Sequence, residues 1–562
     1  MEIVQIIVTV LLLFLLAIPF GNLIYKIISS KKWFADPVFD RVDGVVYKIS
    51  GIKKDEDMSW KKYMLSMLLM NGVMCVLLFL VLMFQSYLPL NPNHSGNMSI
   101  HLAFNTAASF ITNTNLQDYS GEGISYFAQL FLTAFMFIAP ATGLAASAAF
   151  LRGITATSSV TGEKNGLGNF YTDIVRFTTR LLLPLSIFTS IVISALGVPQ
   201  TFASNQVITT IEGTKQIIAL GPVASLEAIK NLGSNGGGFF AANSAHPFEN
   251  PNAISNLITI ISLGLISTAF VYAFGKLTKN KNQARVLFTV LAAMLIISIG
   301  VTYMAELGGN HAVTSAGLVS QSGNMEGKEA RFGVGESSLF AAATTAYQVG
   351  AVNSSHDSLT PIGGMMAMWN MILQNVFGGK GTGFMYVLMY AILTVFICGL
   401  MVGRTPEYLG KKIEGKEIKM VAIGILAHPL FVLVPLSIAA IVSSGYGSMS
   451  NPSYHGLSQM IYQFISASAN NGSGFGGLSA NTPFWNISAG IVMLLGRYVP
   501  VAALLCAAGS LAQKKTIPET TATLRTDKPM FGLTLLFIII VIGALSFFPA
   551  LVLGPIAEQL SL

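Results

Sequence analysis

Ten segments of this chain are long and apolar enough to cross a lipid bilayer. A spanning helix needs about 20 predominantly apolar residues. The candidates lie at 3–28, 62–88, 126–151, 173–197, 253–275, 284–305, 380–403, 420–443, 484–510 and 530–554. Of the 562 residues, 52% are hydrophobic and only 10% are charged, which excludes a water-soluble domain of this size. The sequence therefore predicts an all-α integral membrane protein with ten transmembrane helices.

Basic residues are concentrated in alternate loops between these segments. Most of the 32 Lys and Arg residues lie at 26–62, 152–180, 276–285, 404–419 and 511–528. Cytoplasmic loops carry an excess of Lys and Arg, so we expect these loops in the cytoplasm and both termini outside it. The net charge of +7 is then an orientation signal and does not indicate a nucleic-acid partner.

The opposite loops are acidic. Their acidic residues are Asp118, Glu122, Glu212, Glu227, Glu249, Glu306, Glu326, Glu329, Glu336 and Asp357. A mouth of negative charge would raise the local concentration of cations. Ordinary solvated loops explain the same composition, so both interpretations stay open.

Each long outer loop contains a short apolar stretch followed by a turn rich in Gly or Asn. The stretches begin at Ser99, Ser225, Ser337 and Ser458 and are too short to span a membrane. The turns align on Thr114, Gly236, Gly350 and Gly472, at intervals of 122, 114 and 122 residues. The sequence thus predicts four pseudo-symmetric units, each with a helix M1, a pore helix, a turn and a helix M2, plus one extra helix at each end.

The predicted boundaries follow from this repeat. They are 1–60 for the N-terminal helix and its loop, 61–152, 153–278, 279–412 and 413–515 for repeats 1 to 4, and 516–562 for the C-terminal helix. Non-helical backbone is tolerated in a membrane only when it is buried in protein or lines a water-filled cavity. Four such turns around one axis would line a pore, and rings of carbonyl oxygens replace the hydration shell of an ion such as K⁺.

Two arginines are candidates for control of that pore. Arg497 lies well inside the ninth span, where a charge is costly and usually faces an interior cavity. It could limit passage of an ion or hold helices together through backbone carbonyls. Arg404 follows the seventh span, where position alone favours an interfacial anchor.

The third unit is irregular after its turn. Pro361 and six glycines between 363 and 383 interrupt a segment that should return across the membrane, which predicts a broken M2 helix. Such breaks can gate or form ion sites. Lys380 within the break has no explanation in the sequence. His246, His356 and Asp357 are expected to stabilise loops rather than to bind a metal.

A site for ATP hydrolysis is not visible. The sequence has no G-x-x-x-x-G-K-[ST] motif and no Asp-Lys-Thr-Gly phosphorylation sequence, and its largest cytoplasmic loop, about 29–61, is too small for a nucleotide-binding domain. If transport is active, another chain must supply the energy.

Four motifs carry a family resemblance. They read GSNGGGFFAANSAHPFENP at 233–251, NMEGKEARFG at 324–333, GRTPEYLGKK at 403–412 and ANNGS at 469–473. With these motifs the chain resembles, over essentially its whole length, the potassium-binding A subunit of the Kdp potassium-transporting ATPase. The resemblance implies the fold of the superfamily of K⁺ transporters and a bacterial or archaeal plasma membrane. It also implies a complex with a P-type ATPase B subunit, a C subunit and a small F subunit. In such a complex K⁺ passes sideways through an intramembrane tunnel to the B subunit, where ATP hydrolysis drives uptake.

The resemblance also implies site residues. The K⁺ filter would comprise Asn113, Thr114, Asn115, Asn235, Gly236, Gly350, Ala351, Asn471 and Gly472. Gln117, Ser234, Gly237, Val349, Asn470 and Ser473 would lie close to it. Arg404 and Arg497 resemble positions near the inner end of the pore, while Gln348, Val349 and Lys380 depart from the family pattern.

Other functions remain open on the residues alone. A stand-alone K⁺ channel, or an ion-coupled K⁺ symporter of the Trk or Ktr kind, would share the fourfold architecture. A secondary transporter for an organic solute is disfavoured, because four near-equivalent turns provide no asymmetric substrate-binding groups.

Overall fold

The computed structural model describes residues 2–54, 56–156, 166–310, 313, 315–317, 322–518 and 523–562, so the basic loops 152–180 and 511–528 are covered only in part. Within these residues, ten helices are long and apolar enough to cross a membrane. They are Glu2–Ile28, Trp60–Met83, Tyr126–Thr155, Phe170–Ala195, Ala253–Leu277, Lys281–Leu307, Thr382–Met401, Gly415–Ile441, Pro483–Ala512 and Pro529–Ser561. The ten predicted spans are confirmed, with bounds that differ by several residues.

Four shorter helices lie in the long loops where pore helices are predicted. They are pore helix 1 (Ile100–Ile111), pore helix 2 (Val223–Leu232), pore helix 3 (Gly333–Ala346) and pore helix 4 (Tyr454–Ala469). Another helix, Asp36–Ser50, follows the first span. Strand content is small within the described residues: Gln206–Thr209 pairs antiparallel with Lys215–Ile218, and Glu407–Tyr408 pairs with Lys411–Lys412.

Each M2 helix begins at a side chain that caps its free backbone N–H groups. Ser125, Thr360 and Thr482 accept hydrogen bonds from the N–H three residues later, and Asn252 forms a capping box with Ser255. Such caps stabilise a helix start by about 1 kcal/mol. These polar residues therefore fix where the chain leaves each outer loop and re-enters the bundle.

The M2 helices form the inner layer. In the most apolar stretch of Tyr126–Thr155, Ala253–Leu277, Thr382–Met401 and Pro483–Ala512, between 61% and 83% of residues are buried. The corresponding share is 28–50% for the other six spans, which include the M1 helices and the two extra helices. The M2 helices thus surround the centre, and the remaining spans cover them on the outside.

The M2 helix of the third repeat is broken, as the sequence predicts. Its first part is Pro361–Leu373 and its second part is Thr382–Met401. Gln374 and Phe377 have positive φ angles of 56° and 60°, and Gly378 and Gly381 follow at 64° and 80°. Several left-handed residues in eight positions cannot continue a helix, so the chain forms a loop inside the bundle.

Candidate functional site

The four turns that follow the pore helices share one backbone arrangement. In each turn an N–H group donates to the carbonyl five residues earlier in the pore helix, at 2.9–3.0 Å. The donors are Thr114, Asn235, Val349 and Asn471. Since each pore helix ends at its turn, the partially negative ends of four helix dipoles point to the same region.

The residue before each donor has a positive φ angle. These residues are Asn113 (65°), Ser234 (57°), Gln348 (52°) and Asn470 (54°). The residue after the donor is Asn115 (54°), Gly236, Gly350 (84°) or Gly472 (103°). Backbone of this kind turns successive carbonyls towards a common direction, which is what a carbonyl filter requires.

Side-chain hydrogen bonds join the four turns into a closed ring. Turn 1 bonds to turn 2 through Asn113 Nδ2, which donates to the Ser234 carbonyl at 2.8 Å. Turn 2 bonds to repeat 3 through Ser234 Oγ and the Tyr347 carbonyl at 3.0 Å, and turn 4 bonds to Thr344 of repeat 3 through Asn471 Nδ2 at 3.0 Å. Asn470 Nδ2 closes the ring on Thr114 Oγ1 at 3.0 Å. We call this arrangement the filter ring.

The glycines of the filter ring leave no room for a side chain. A Cβ atom on Gly236 would lie 2.8 Å from the Thr114 carbonyl oxygen and 3.1 Å from that of Val349. A Cβ on Gly472 would overlap the Thr114 carbonyl oxygen, and one on Gly350 would overlap the Asn471 carbonyl oxygen. Carbonyl oxygens from three different turns therefore lie at the centre, against glycines of neighbouring turns.

The filter ring contains no charged side chain, and one of its amides has no hydrogen-bond partner at either polar atom. Asn115 is fully buried, and neither its Oδ1 nor its Nδ2 has a hydrogen-bond partner among the described residues. Buried polar groups are nearly always satisfied by protein, water or an ion. The ring is thus suited to a ligand that carbonyl and amide oxygens can hold, which is a desolvated monovalent cation.

The structure changes the alignment of the turns predicted from sequence. Gly236, Gly350 and Gly472 are equivalent to Asn115 and not to Thr114, because each directly follows the N–H donor of its turn, and Asn115 shares the positive φ angle of Gly350 and Gly472. In the third turn, Val349 occupies the position of Thr114, so its carbonyl belongs to the ring. Ala351 lies one residue further out, in the position of Ser473.

The outer side of the filter ring opens into a vestibule of about 740 Å³. Gln117, Gly237, His356, Ser473 and Asp118 are among its lining residues. Gln117 Oε1 accepts a hydrogen bond from the Gly238 N–H at 2.7 Å. Partial burial raises the pKa of Asp118 to about 6, although a hydrogen bond from Asn105 at 2.8 Å opposes the shift. Asp118 therefore places a titratable carboxyl beside the ring.

Several acidic residues assigned to an acidic mouth lie inside the protein instead. Glu227 and Glu249 are buried and pair with Lys230 Nζ at 2.6 and 2.9 Å. Glu249 also accepts a hydrogen bond from the Phe240 N–H at 2.7 Å, and the Lys230 carbonyl receives the Asn235 N–H. This cluster supports turn 2 from behind, and it corrects the hypothesis that these carboxylates attract ions at the mouth.

A second buried ion pair explains the motif at 324–333. Lys328 Nζ lies 2.7 Å from Glu306 Oε2, and both side chains are fully buried. Asn324 Nδ2 donates to the same oxygen at 2.8 Å. Arg331 Nη2 donates to the Ala245 carbonyl at 2.6 Å and so ties the motif to the loop after turn 2. The motif thus holds outer loops together and does not form a separate binding site.

The inner side of the bundle contains two buried basic side chains. Arg497 is 7% exposed, and its Nη1 lies 3.2 Å from Thr382 Oγ1, at the start of the second part of the broken helix. Lys380 Nζ donates to the carbonyls of Ser262 and Leu263. The two meet at Gly143, where a Cβ would lie 2.6 Å from Arg497 Nη2 and 2.9 Å from the Lys380 carbonyl oxygen. In the described part of the chain, hydroxyl and carbonyl oxygens hold these basic groups, and no carboxylate does.

Arg404 lies in a different environment from Arg497. It is exposed and follows the end of Thr382–Met401, where its N–H bonds to the Gly399 carbonyl at 2.8 Å. In the same motif, Lys411 is buried and donates to the carbonyls of Gly153 and Leu511, both at 2.9 Å. Those carbonyls belong to the ends of two M2 helices, so Lys411 caps the bundle there.

The histidines near the turns contact protein groups. His246 stacks on Phe240 with ring centroids 3.8 Å apart, and His356 Nδ1 lies 2.7 Å from Tyr462 Oη. Asp357 pairs with His455. In the regions that the structure covers, no group of three or more His, Cys, Asp and Glu residues is arranged to hold a metal.

Comparisons with known proteins identify relatives over the full length. The family described as potassium-transporting ATPase A subunit matches residues 7–560. A relative from Clostridium acetobutylicum is 52% identical over 564 residues and 100% of both chains, and one from Geobacillus kaustophilus is 49% identical over 98% of each. A third, from Caldanaerobacter subterraneus subsp. tengcongensis, is 46% identical over 100% of this chain and 99% of its own. All three bear the name potassium-transporting ATPase potassium-binding subunit.

A solved structure shows the same fold at low sequence identity. The potassium transporter TrkH from Vibrio parahaemolyticus superposes with a TM-score of 0.50 at 13% identity, covering 89% of this chain and 97% of its own. This likeness supports the predicted fold of four M1, pore helix and M2 units. Since the family match spans nearly the whole sequence and the relatives exceed 45% identity, the chain belongs to the potassium-transporting ATPase A subunit family.

Proposed function

We propose that this chain is the potassium-binding and translocating subunit of an ATP-driven K⁺ uptake complex. The filter ring selects K⁺ from the outer vestibule, and K⁺ is the transported ion. The names of the three relatives support K⁺ as the ion. The complex would lie in a bacterial or archaeal plasma membrane, with the vestibule and both termini on the extracytoplasmic side.

The convergence of four uncharged turns is the observation that carries this proposal. Carbonyl oxygens of Thr114, Val349 and Asn471 meet glycines of neighbouring turns at the centre. Four pore-helix ends add partial negative charge there, which favours a cation and repels an anion. An ATP-binding partner follows from the family, since the sequence has neither nucleotide motif.

Beneath the ring, the arrangement favours a sideways path over a straight one. Arg497 places a buried positive charge on the inner side of the ring, beside the buried Lys380. A narrow cavity of about 20 Å³, large enough for one water molecule, lies between the broken helix, Gly415–Ile441 and the last span. Gln374, Tyr386, Tyr390 and His428 are among its lining residues. We propose that K⁺ leaves by this side towards a P-type ATPase B subunit, in a complex that also contains a C subunit and a small F subunit.

Potassium flux in proteoliposomes tests the proposal. We expect the isolated chain to give no K⁺ uptake above empty vesicles, and the assembled complex to take up K⁺ only with ATP. Purification in mild detergent should bring down a P-type ATPase with the chain. Robust K⁺ flux from the isolated chain would contradict the pump hypothesis and favour a channel or an ion-coupled symporter.

A further inference from the structure

The helix Asp36–Ser50 has no role in the filter ring or in the inner side of the bundle. It lies between the first two spans, joined to Glu2–Ile28 and Trp60–Met83 by short linkers. Linkers of this length keep the helix near the membrane edge. We call it the surface helix.

One face of the surface helix is fixed by a buried arginine. Arg180 is 2% exposed, and its guanidinium binds Asp36 Oδ1 at 3.1 Å, Asp40 Oδ1 at 2.5 Å and the Asp43 carboxylate. Thr179 Oγ1 also donates to Asp43 Oδ1 at 2.9 Å. Bidentate and multiple contacts of this kind set orientation as well as position. Asp36 and Asp43 are therefore turned towards the bundle, whereas the Asp40 side chain reaches Arg180 from the surface and stays 68% exposed.

The opposite face carries an exposed apolar stripe. Val38, Val42, Val45 and Ile49 are 64%, 47%, 59% and 81% exposed, and Phe34 just before the helix is 85% exposed. Their spacing of three and four residues puts them on one side of the helix. We call these five residues the apolar stripe. No described part of the chain covers it.

Basic residues surround the apolar stripe. Arg41 and Lys48 lie on the surface helix beside the stripe, and Lys31, Lys32, Lys53 and Lys54 lie on the linkers. Asp36, Asp40 and Asp43 all pair with Arg180, whereas Arg41 and Lys48 are exposed and form no ion pair with the described residues. An apolar stripe flanked by Lys and Arg is the composition of helices that lie in a membrane interface.

The position of Arg180 gives the depth of the surface helix. Arg180 lies in a π-helical turn, Thr178–Leu182, of the span Phe170–Ala195. Exposed apolar side chains of that span begin just after the turn, at Leu183, and continue through Ile187, Phe188 and Ile191. A surface of this kind on a spanning helix faces lipid tails. The surface helix is thus held at the level where the lipid-facing surface begins.

We propose that the surface helix is an interfacial anchor that binds anionic phospholipid. The apolar stripe enters the acyl boundary of the leaflet on the side of the basic loops, and Arg41 and Lys48 contact lipid phosphates. Arg180 pairs with the three aspartates and so offsets their negative charge on the side of the helix away from the apolar stripe. Through Arg180, the anchor links the lipid headgroups of that leaflet to the span Phe170–Ala195, which is the M1 helix of the second repeat.

Site-directed fluorescence in the assembled complex tests this inference. A Val42→Cys variant, with Cys75, Cys398 and Cys506 replaced, carries an environment-sensitive dye in vesicles of phosphatidylcholine with or without phosphatidylglycerol. Gly44→Cys is the matched control, since Gly44 is also exposed, has no atom within 4 Å of an added Cβ, and lies off the apolar stripe. We expect the dye at position 42, but not at position 44, to show a blue-shifted emission and quenching by nitroxide-labelled lipid. Both effects should increase with the phosphatidylglycerol content of the vesicles.

Two other outcomes would overturn the proposal. Quenching of position 42 by aqueous iodide alone would mean that the stripe faces water. Protection from both quenchers would mean that a protein subunit covers it.

As a second test, Arg41→Gln with Lys48→Gln should weaken the response to phosphatidylglycerol by roughly fivefold for each charge. Arg41→Lys with Lys48→Arg should retain it, and an equal response in both double variants would contradict the role of charge.

Discussion

The outer and inner halves of the bundle differ in the groups that bind their buried basic side chains. Around the filter ring, Lys230 pairs with Glu227 and Glu249, and Lys328 pairs with Glu306. On the inner side, hydroxyl and carbonyl oxygens hold Arg497 and Lys380. The outer half also repeats four times, whereas the inner half is marked by a single broken helix.

Under the proposed function, this difference is consistent with two tasks in two regions. Selection between similar cations needs neutral, equivalent ligands whose positions are fixed. In the outer half, the lysines that support the turns are paired with carboxylates, so their positive charge is compensated. Control of passage needs asymmetry and a barrier, which the buried guanidinium of Arg497 beside the broken helix would supply. Changes in the outer half should therefore alter stability and affinity, while changes in the inner half should alter coupling.

The largest expected effect comes from removing the paired charge of Lys230. Lys230→Met would leave Glu227 and Glu249 buried without a cation, and loss of one partner of a buried pair costs about 3–5 kcal/mol. We expect a large fall in the melting temperature of the purified complex. A triple variant that adds Glu227→Gln and Glu249→Gln should recover much of it. Equal melting temperatures for Lys230→Met and the unchanged complex would show that the cluster does not support turn 2.

The next largest effect concerns Gly472 in the filter ring. Gly472→Ala forces alanine to a φ of 103° and places its Cβ on the Thr114 carbonyl, so strain of at least about 1–2 kcal/mol should lower K⁺ affinity by tenfold or more. Gly474→Ala is the matched control, because a Cβ there has no neighbour closer than 3.9 Å. The measurement is the K⁺ concentration that half-maximally stimulates ATP hydrolysis. Similar values for both variants would remove Gly472 from the filter ring.

Arg497 tests the inner half. For an ion roughly 10 Å away at an effective dielectric of about 20, one charge contributes about 1.7 kcal/mol. Arg497→Gln should therefore raise ATP-independent K⁺ leak through the complex by about tenfold, with little change in K⁺ affinity. Arg497→Lys keeps the charge and should leak much less. Leak that is equal in both variants would assign Arg497 a packing role.

Asp118 gives the smallest expected effect. Because its pKa is raised to about 6, the carboxyl is charged above that pH and neutral below it, so K⁺ affinity should fall severalfold as the outside pH drops through about 6. Asp118→Asn should have low affinity at every pH. Glu122→Gln removes a charge from the same loop outside the vestibule lining and should keep the pH dependence. A pH dependence that survives in Asp118→Asn would exclude this carboxyl as its source.

Local sequence patterns were sufficient for the spans and the repeat. Ten apolar runs, the turns rich in Gly or Asn, and the glycines around the third break are signals within a few residues of the feature they produce. The sequence therefore predicts the helices, the four turns and the broken M2 with bounds close to those observed.

Contacts between distant residues could not be predicted in the same way. Lys328 and Glu306 are 22 residues apart, and Arg180 lies far along the chain from its three aspartates, so neither pairing leaves a local signal. The register of the first turn was missed because Asn115 adopts a conformation that the glycine pattern does not mark. The role of Lys380 depends on the backbone of a helix more than 100 residues earlier.

Ion density on the pseudo-fourfold axis tests the central claim most directly. An experimental structure of the complex in K⁺, compared with one in Na⁺, would show whether the filter ring holds the ion. The account predicts density in K⁺ between the carbonyls of Thr114, Asn235, Val349 and Asn471, and its loss or weakening in Na⁺. Equal density in both salts, or K⁺ bound elsewhere with an unoccupied ring, would contradict it.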